Sequence, residues 1–126
     1  MIRTFAVIAT LVFAAAAAAE PKADPCAGSA NDAAMRTCRK AQFDATERRL
    51  RELYGKLHAR HTGDEPKLAK LLASAQATWR TFRDAECAVQ TYESASGTMG
   101  DVYRLACLTE MNAARAKTLQ EMVDSP

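Results

Sequence analysis

From about Asn31 onward, apolar residues return at steps of three and four. Met35, Cys38, Phe43, Thr46, Leu50, Leu53, Tyr54 and Leu57 keep that rhythm, with one shift. A 3.6-residue period gathers them on one face of an α-helix. Either Ser29 or Asn31 can act as its N-cap, accepting a bond from the first free N–H groups. The spacing predicts an end near His61. Arg60 then sits in the last turn, where a cation suits the negative dipole end, and Gly63 follows as a left-handed cap.

Asp64-Glu65-Pro66 predicts the start of a second helix, because acids and an early proline favour a first turn. Leu68, Leu72, Ala75, Trp79, Phe82, Glu86 and Val89 follow at alternating fours and threes, a seam that packs against another helix. Tyr92 to Gly100 is small, polar and interrupted by two glycines, which predicts a loop. A third helix is expected from about Asp101 to Met122. Its inner stripe is Leu105, Leu108, Met111, Arg115, Leu119 and Met122. β-Branched residues are few and period-two alternation is absent, so no strand is expected. The fold class is therefore all-α: a small antiparallel three-helix bundle or hairpin over residues 30–126.

The N-terminus reads differently. Arg3 is the only charge before Glu20, and an apolar run from Phe5 to Phe13 leads into Ala14 to Ala19. A basic start, an apolar middle and an A-x-A end describe a secretory signal peptide over residues 1–19, cleaved after Ala19. The run is short for a membrane anchor, which needs about 20 residues. Residues 20–29, with Pro21 and Pro25, form an extended leader. The expected location is the periplasm or the medium, without stable membrane insertion after cleavage.

Export changes the reading of the four cysteines, Cys26, Cys38, Cys87 and Cys107. An even number in a small exported domain implies two disulfides, with three connectivities possible. No C-x2-C pair occurs, which argues against zinc and against a thioredoxin-like site. Cys87 and Cys107 are each ten residues from Gly97, so two helices folded back on one another bring them level. Cys26 then pairs with Cys38. Within one helix those two would stand about 18 Å apart, so this bond requires a non-helical leader.

Composition narrows the function. The chain has 126 residues, 48% of them apolar, and 17 Lys and Arg against 15 Asp and Glu. That suits one small folded domain and gives no charge excess for nucleic acid. H-E-x-x-H, G-x-S-x-G and a phosphate loop are all absent, so no enzymatic site and no cofactor is expected. His58 and His61 share one side of the first helix, but no third metal ligand is apparent.

Three motifs carry a family resemblance. The first helix has Cys38-x4-Phe43-x3-Glu47-x2-Leu50-x3-Tyr54. The second has Gln76-x2-Trp79-x2-Phe82-Arg83-Asp84-x2-Cys87, and the third Cys107-x3-Met111-x3-Arg115-x3-Leu119. Together they resemble the LprI-type family, named after a mycobacterial lysozyme inhibitor, across nearly all of the expected mature chain. Glu47 stands where the family often has Asp, Arg51 where it often has Asn, and the loop at 93–100 lacks the usual double glycine. The resemblance implies a helical, disulfide-bonded envelope domain and suggests lysozyme inhibition.

Glu47, Gln76, Arg83, Glu86 and Arg115 are polar groups on or beside apolar faces. Buried polar groups must be satisfied, so these residues are expected to pair across helices and set their register. Arg83 or Arg115 is expected to hold Glu47, because a guanidinium grips a carboxylate with two donors. Tyr54, Trp79 and Phe82 are assigned to the core. Ser94, Ser96, Gly97 and Thr98 form a polar loop tethered at its base by Cys87–Cys107, and are the candidate partner-binding loop. Two functions remain. One is a binding protein whose protein partner is a lysozyme-type muramidase. The other is a structural or adaptor envelope protein docking through an exposed helix face, with no lysozyme contact.

Overall fold

A computed structural model of the chain describes residues 23–125. The signal segment and residues 20–22 of the leader lie outside the described residues. Three long helices follow: α1 (Asp32–Asp64), α2 (Pro66–Gln90) and α3 (Gly100–Asp124). Among the described residues there is no strand, and no helix is long and apolar enough to cross a membrane.

The described part of the leader is turned rather than extended. Ala27 N–H donates to the Asp24 carbonyl and Ser29 N–H to the Cys26 carbonyl, both at 3.1 Å. The Asp24 side chain also accepts from the Cys26 N–H at 2.9 Å. This winding lets Cys26, almost fully buried, reach back to Cys38 with Cα atoms 5.8 Å apart. Arg39 holds the Asp24 carboxylate from α1.

Asn31 is the N-cap of α1, its side chain accepting from the Ala34 N–H at 2.9 Å. The helix runs past His61 and through Gly63 to Asp64. No glycine among the described residues has a positive φ, so Gly63 is not the left-handed cap. Pro66 ends the helix instead. Its ring disfavours α geometry at the preceding residue, and Glu65 sits at φ −136°, ψ 67°. Arg60 serves a different helix end from the one expected. Its guanidinium donates to the carbonyls of Val123 at 2.7 Å and Ser125 at 3.3 Å, capping the C-terminus of α3.

Two reversals leave α1 and α3 parallel, with α2 antiparallel to both. Arg36 at the start of α1 pairs with Asp101 at the start of α3, and Arg60 meets the far end of α3. The apolar core lies toward the α1–α2 turn: Leu50, Leu53, Leu57, Leu72, Ala116 and Leu119, with Tyr54, Trp79 and Val123 packed against it. A smaller cluster forms around Cys87, Cys107 and Leu108, flanked by Phe43 and Met111. The two disulfides join Cys26 to Cys38 and Cys87 to Cys107.

The second helix is rotated relative to the expected seam. Its buried residues are Ala69, Leu72, Gln76, Arg83 and Cys87. Leu68, Phe82 and Val89 are exposed, so Phe82 is not a core residue. The disulfide explains the rotation. Once Cys87 faces α3, positions four and eleven residues before it face inward too, while positions five before and two after face away. On α3, Val123 takes the inner place expected for Met122, which is exposed.

Candidate functional site

Between the two apolar clusters lies a polar layer built from one turn of each helix. Arg83 on α2 donates through Nη1 to Glu47 on α1 and to Asn112 Oδ1 on α3 at 2.7 Å. Its Nε reaches the neighbouring Asp84 carboxylate at 2.9 Å. Asn112, 0% exposed, returns two bonds through Nδ2, to Glu47 Oε1 at 3.0 Å and Thr46 Oγ1 at 3.1 Å. Of the two expected arginines, Arg83 is the one that holds Glu47.

Arg115 turns to Gln76, donating from Nε to Oε1 at 3.1 Å. Trp79 is flanked by both guanidiniums, with Arg83 5.3 Å and Arg115 5.9 Å from the ring. Burial pushes the Arg115 pKa below its usual value. Glu86 accepts from Gln90 at 2.9 Å and takes no part in the layer.

Asn112 is the member that sequence reasoning missed. An apolar-seam search skips an Asn, yet an Asn in a helix interior competes with its own backbone and needs a reason to be there. Here it bridges the arginine and the carboxylate. Arg83, Glu47 and Asn112 bond chiefly to one another, while beside them Gln76 Nε2 is buried without a hydrogen-bond partner among the described residues. Both Glu47 oxygens face donors, with Arg51 3.8 Å from Oε2, and the opening beside it is lined by Phe43, Asp44, Arg48 and Arg51. Such an arrangement clamps three helices in register.

A larger cleft, about 1000 Å³, opens at the other end of the molecule. The end of α2, the following 3-10 turn (Tyr92–Ser94) and the first turns of α3 form it. Val89, Tyr92 and Tyr103 supply apolar surface, Glu93 and Glu110 the acidic edge, and Cys107 the floor. Tyr92 is 80% exposed. The local charge is strongly acidic: residues 84–110 hold Asp84, Glu86, Glu93, Asp101 and Glu110 against Arg104 alone. Asp84 and Asp101 are paired to Arg83 and Arg36. Glu86, Glu93 and Glu110 have no cation within 4 Å among the described residues.

Of the candidate loop, Ser94 lines this cleft, while Ser96, Gly97 and Thr98 are exposed beside it. The segment is wound rather than loose. Ser94 N–H donates to Thr91, Gly97 N–H to Ser94 and Gly100 N–H to Gly97, at 3.0 to 3.2 Å. The Arg36 guanidinium holds the Thr98 carbonyl from α1.

The histidines are engaged separately. His61 Nδ1 lies 3.0 Å from Glu65, and the His58 ring packs on Tyr54 at 5.5 Å. No group of three His, Cys, Asp or Glu that could hold a metal occurs among the described residues.

A family model described as lysozyme inhibitor LprI matches residues 24–119. That span includes the polar layer, both disulfides and the cleft. No curated protein and no solved structure matches the chain.

Proposed function

The chain belongs to the lysozyme inhibitor LprI family, and on that premise we propose that it is an exported binding protein that blocks a lysozyme-type muramidase with its α2–α3 end. The observation that carries this reading is the cleft. Exposed aromatic surface at Tyr92 and Tyr103 lies beside Glu93 and Glu110, which have no cation within 4 Å among the described residues. Aromatic side chains provide large contact area at low conformational cost. Animal-type lysozymes are strongly basic, and an acidic edge steers a basic partner toward the contact.

The rest of the fold supports that end. The Cys87–Cys107 bond closes the hairpin beneath it, and Arg36 fixes the connection from the side. A contact surface held in place before binding loses less entropy when the partner arrives. Ser96, Gly97 and Thr98 form the narrow polar tip that reaches toward the substrate cleft of the muramidase. Two disulfides suit an oxidising compartment, which agrees with cleavage after Ala19 and release outside the cytoplasm.

The test is a cell-wall lysis assay with protein purified from an exporting host, disulfides intact. Saturable inhibition that Glu93→Lys combined with Glu110→Lys weakens at least tenfold is the expected result. Absence of inhibition across several lysozyme types overturns the reading. Intact mass of the same sample tests export: a chain beginning at Glu20 is expected.

A further inference from the structure

Midway along the α2–α3 interface, two side chains offer hydrogen-bond donors that meet no acceptor. Arg83 has two carboxylates, whereas Arg115 has none within 4 Å among the described residues. Arg115 is half-buried, and burial opposes its charge. Its one hydrogen bond among the described residues runs from Nε to Gln76 Oε1, at 3.1 Å. Both Nη groups are unspent. Gln76 is 5% exposed, and its Nε2 is buried without a partner. An unmade hydrogen bond at a buried amide is costly. Turning the amide over does not remove the cost, because Nε2 would then face the Nε–H of Arg115, donor against donor.

We propose that Arg115 and Gln76 form a binding site for a small carboxylate, a free organic acid, held between α2 and α3. The missing group is an acceptor, and a negative one, since both side chains offer donors and one is a cation. The guanidinium selects a carboxylate. With Nε taken by Gln76, its open edge is the pair Nη1 and Nη2, whose parallel N–H bonds match two carboxylate oxygens. The Trp79 ring flanks the guanidinium at 5.9 Å and, with the Nε bond, limits its rotation. Donors fixed before the ligand arrives lose little entropy on binding. The ligand is small because Gln76 lies on the inner face of α2. Arg115, the more exposed of the two, shifts outward to admit one oxygen to Nε2. Arg115 stands eight residues along α3 from Cys107, about 12 Å, so the site is separate from the acidic cleft. It does not depend on what that cleft binds.

The test is a titration of the purified full-length exported product, nitrogen-labelled, with sodium acetate. Sodium chloride holds the ionic strength constant, and side-chain NMR is the readout. Saturable shifts of the Gln76 Nε2 protons and the Arg115 Nε proton are expected, with a midpoint in the millimolar range that suits so small a ligand. Arg115→Gln is expected to weaken binding at least tenfold. Arg115→Lys keeps the charge but loses the paired edge; it is expected to weaken binding too, and serves if Arg115→Gln does not fold. Gln76→Glu sets a carboxylate of the chain itself against Arg115. It is expected to raise the Tm and to abolish the acetate response together. The proposal is overturned if acetate gives no saturable shift, if chloride alone gives the same shifts, or if inorganic phosphate binds and acetate does not. A response retained by Gln76→Glu or by both Arg115 variants overturns it as well. So does a long-lived water on Nε2 that persists at saturating acetate, since the amide then has its partner without the ligand.

Discussion

At the scale of single residues, the polar layer is the most consequential feature. Arg83 is buried with one carboxylate and one amide as cross-helix partners. Removing it takes the shared cation from Glu47 and leaves the Oδ1 of Asn112, a fully buried residue, without its donor. Arg83→Ala is expected to cost about 3–5 kcal/mol and to lower the Tm in thermal unfolding. An unchanged Tm would show that the layer does not hold the helices. Arg83→Met, Glu47→Leu and Asn112→Leu together remove both charges and the buried amide that bridges them, and are expected to recover most of that loss, since apolar replacements of whole buried ion-pair networks are often neutral. Asp24 gives a pH signature. The Cys26 N–H foremost, and then Arg39, hold its carboxyl below the usual range. A carboxylate with a lowered folded-state pKa adds stability above its ordinary pKa of about 3.9, and that contribution disappears as pH falls through the lowered value. Asp24 is exposed, so the effect is read by NMR titration rather than by unfolding. Its midpoint is expected below the ordinary range, moving only partly back in Arg39→Ala because the backbone bond remains.

At the scale of elements, the glycines separate two roles. A Cβ at Gly100 would stand 2.6 Å from the Ser94 carbonyl oxygen and 2.7 Å from that of Ala95. The connection can wind this tightly only without that atom. Gly100→Ala is expected to destabilise by about 1–3 kcal/mol, as overpacking does. Gly55 lies inside α1 with nothing within 4 Å of an added Cβ, so Gly55→Ala is expected to stabilise by about 0.5–1 kcal/mol. Denaturant unfolding of the two variants checks both signs. These elements also show how far the sequence could be read. The existence, order and approximate limits of α1, α2 and α3 followed from apolar spacing, and both cysteine pairings followed from the reversal at Gly97. The facing of α2 did not. Spacing favoured Leu68, Phe82 and Val89, yet the inward positions include Gln76 and Arg83, which an apolar count discards, and Cys87, which falls out of step with that spacing. The disulfide already held the correction, because pairing Cys87 with Cys107 turns Phe82 outward. Asn112 was illegible for the same reason: its worth lies in two partners on other segments of the chain.

At the scale of the molecule, the fold divides its labour between its two ends and the polar layer between them. The α1–α2 end carries the apolar core, the polar layer sets register, and the α2–α3 end presents an acidic, aromatic surface over a disulfide. Each disulfide constrains the unfolded chain by about 3 kcal/mol in the loop-entropy model, a large part of the roughly 5–15 kcal/mol typical of a domain. Reduction is therefore expected to abolish partner binding and to lower the Tm together. A titration of isotopically labelled protein with an animal-type lysozyme, followed by amide NMR, reads whether the α2–α3 end is the contact surface. Shifts or broadening concentrated at residues 86–98, Tyr103 and Glu110, saturating at one lysozyme per chain, are the expected result. Perturbations confined to α1, or no perturbation at lysozyme excess, would contradict it.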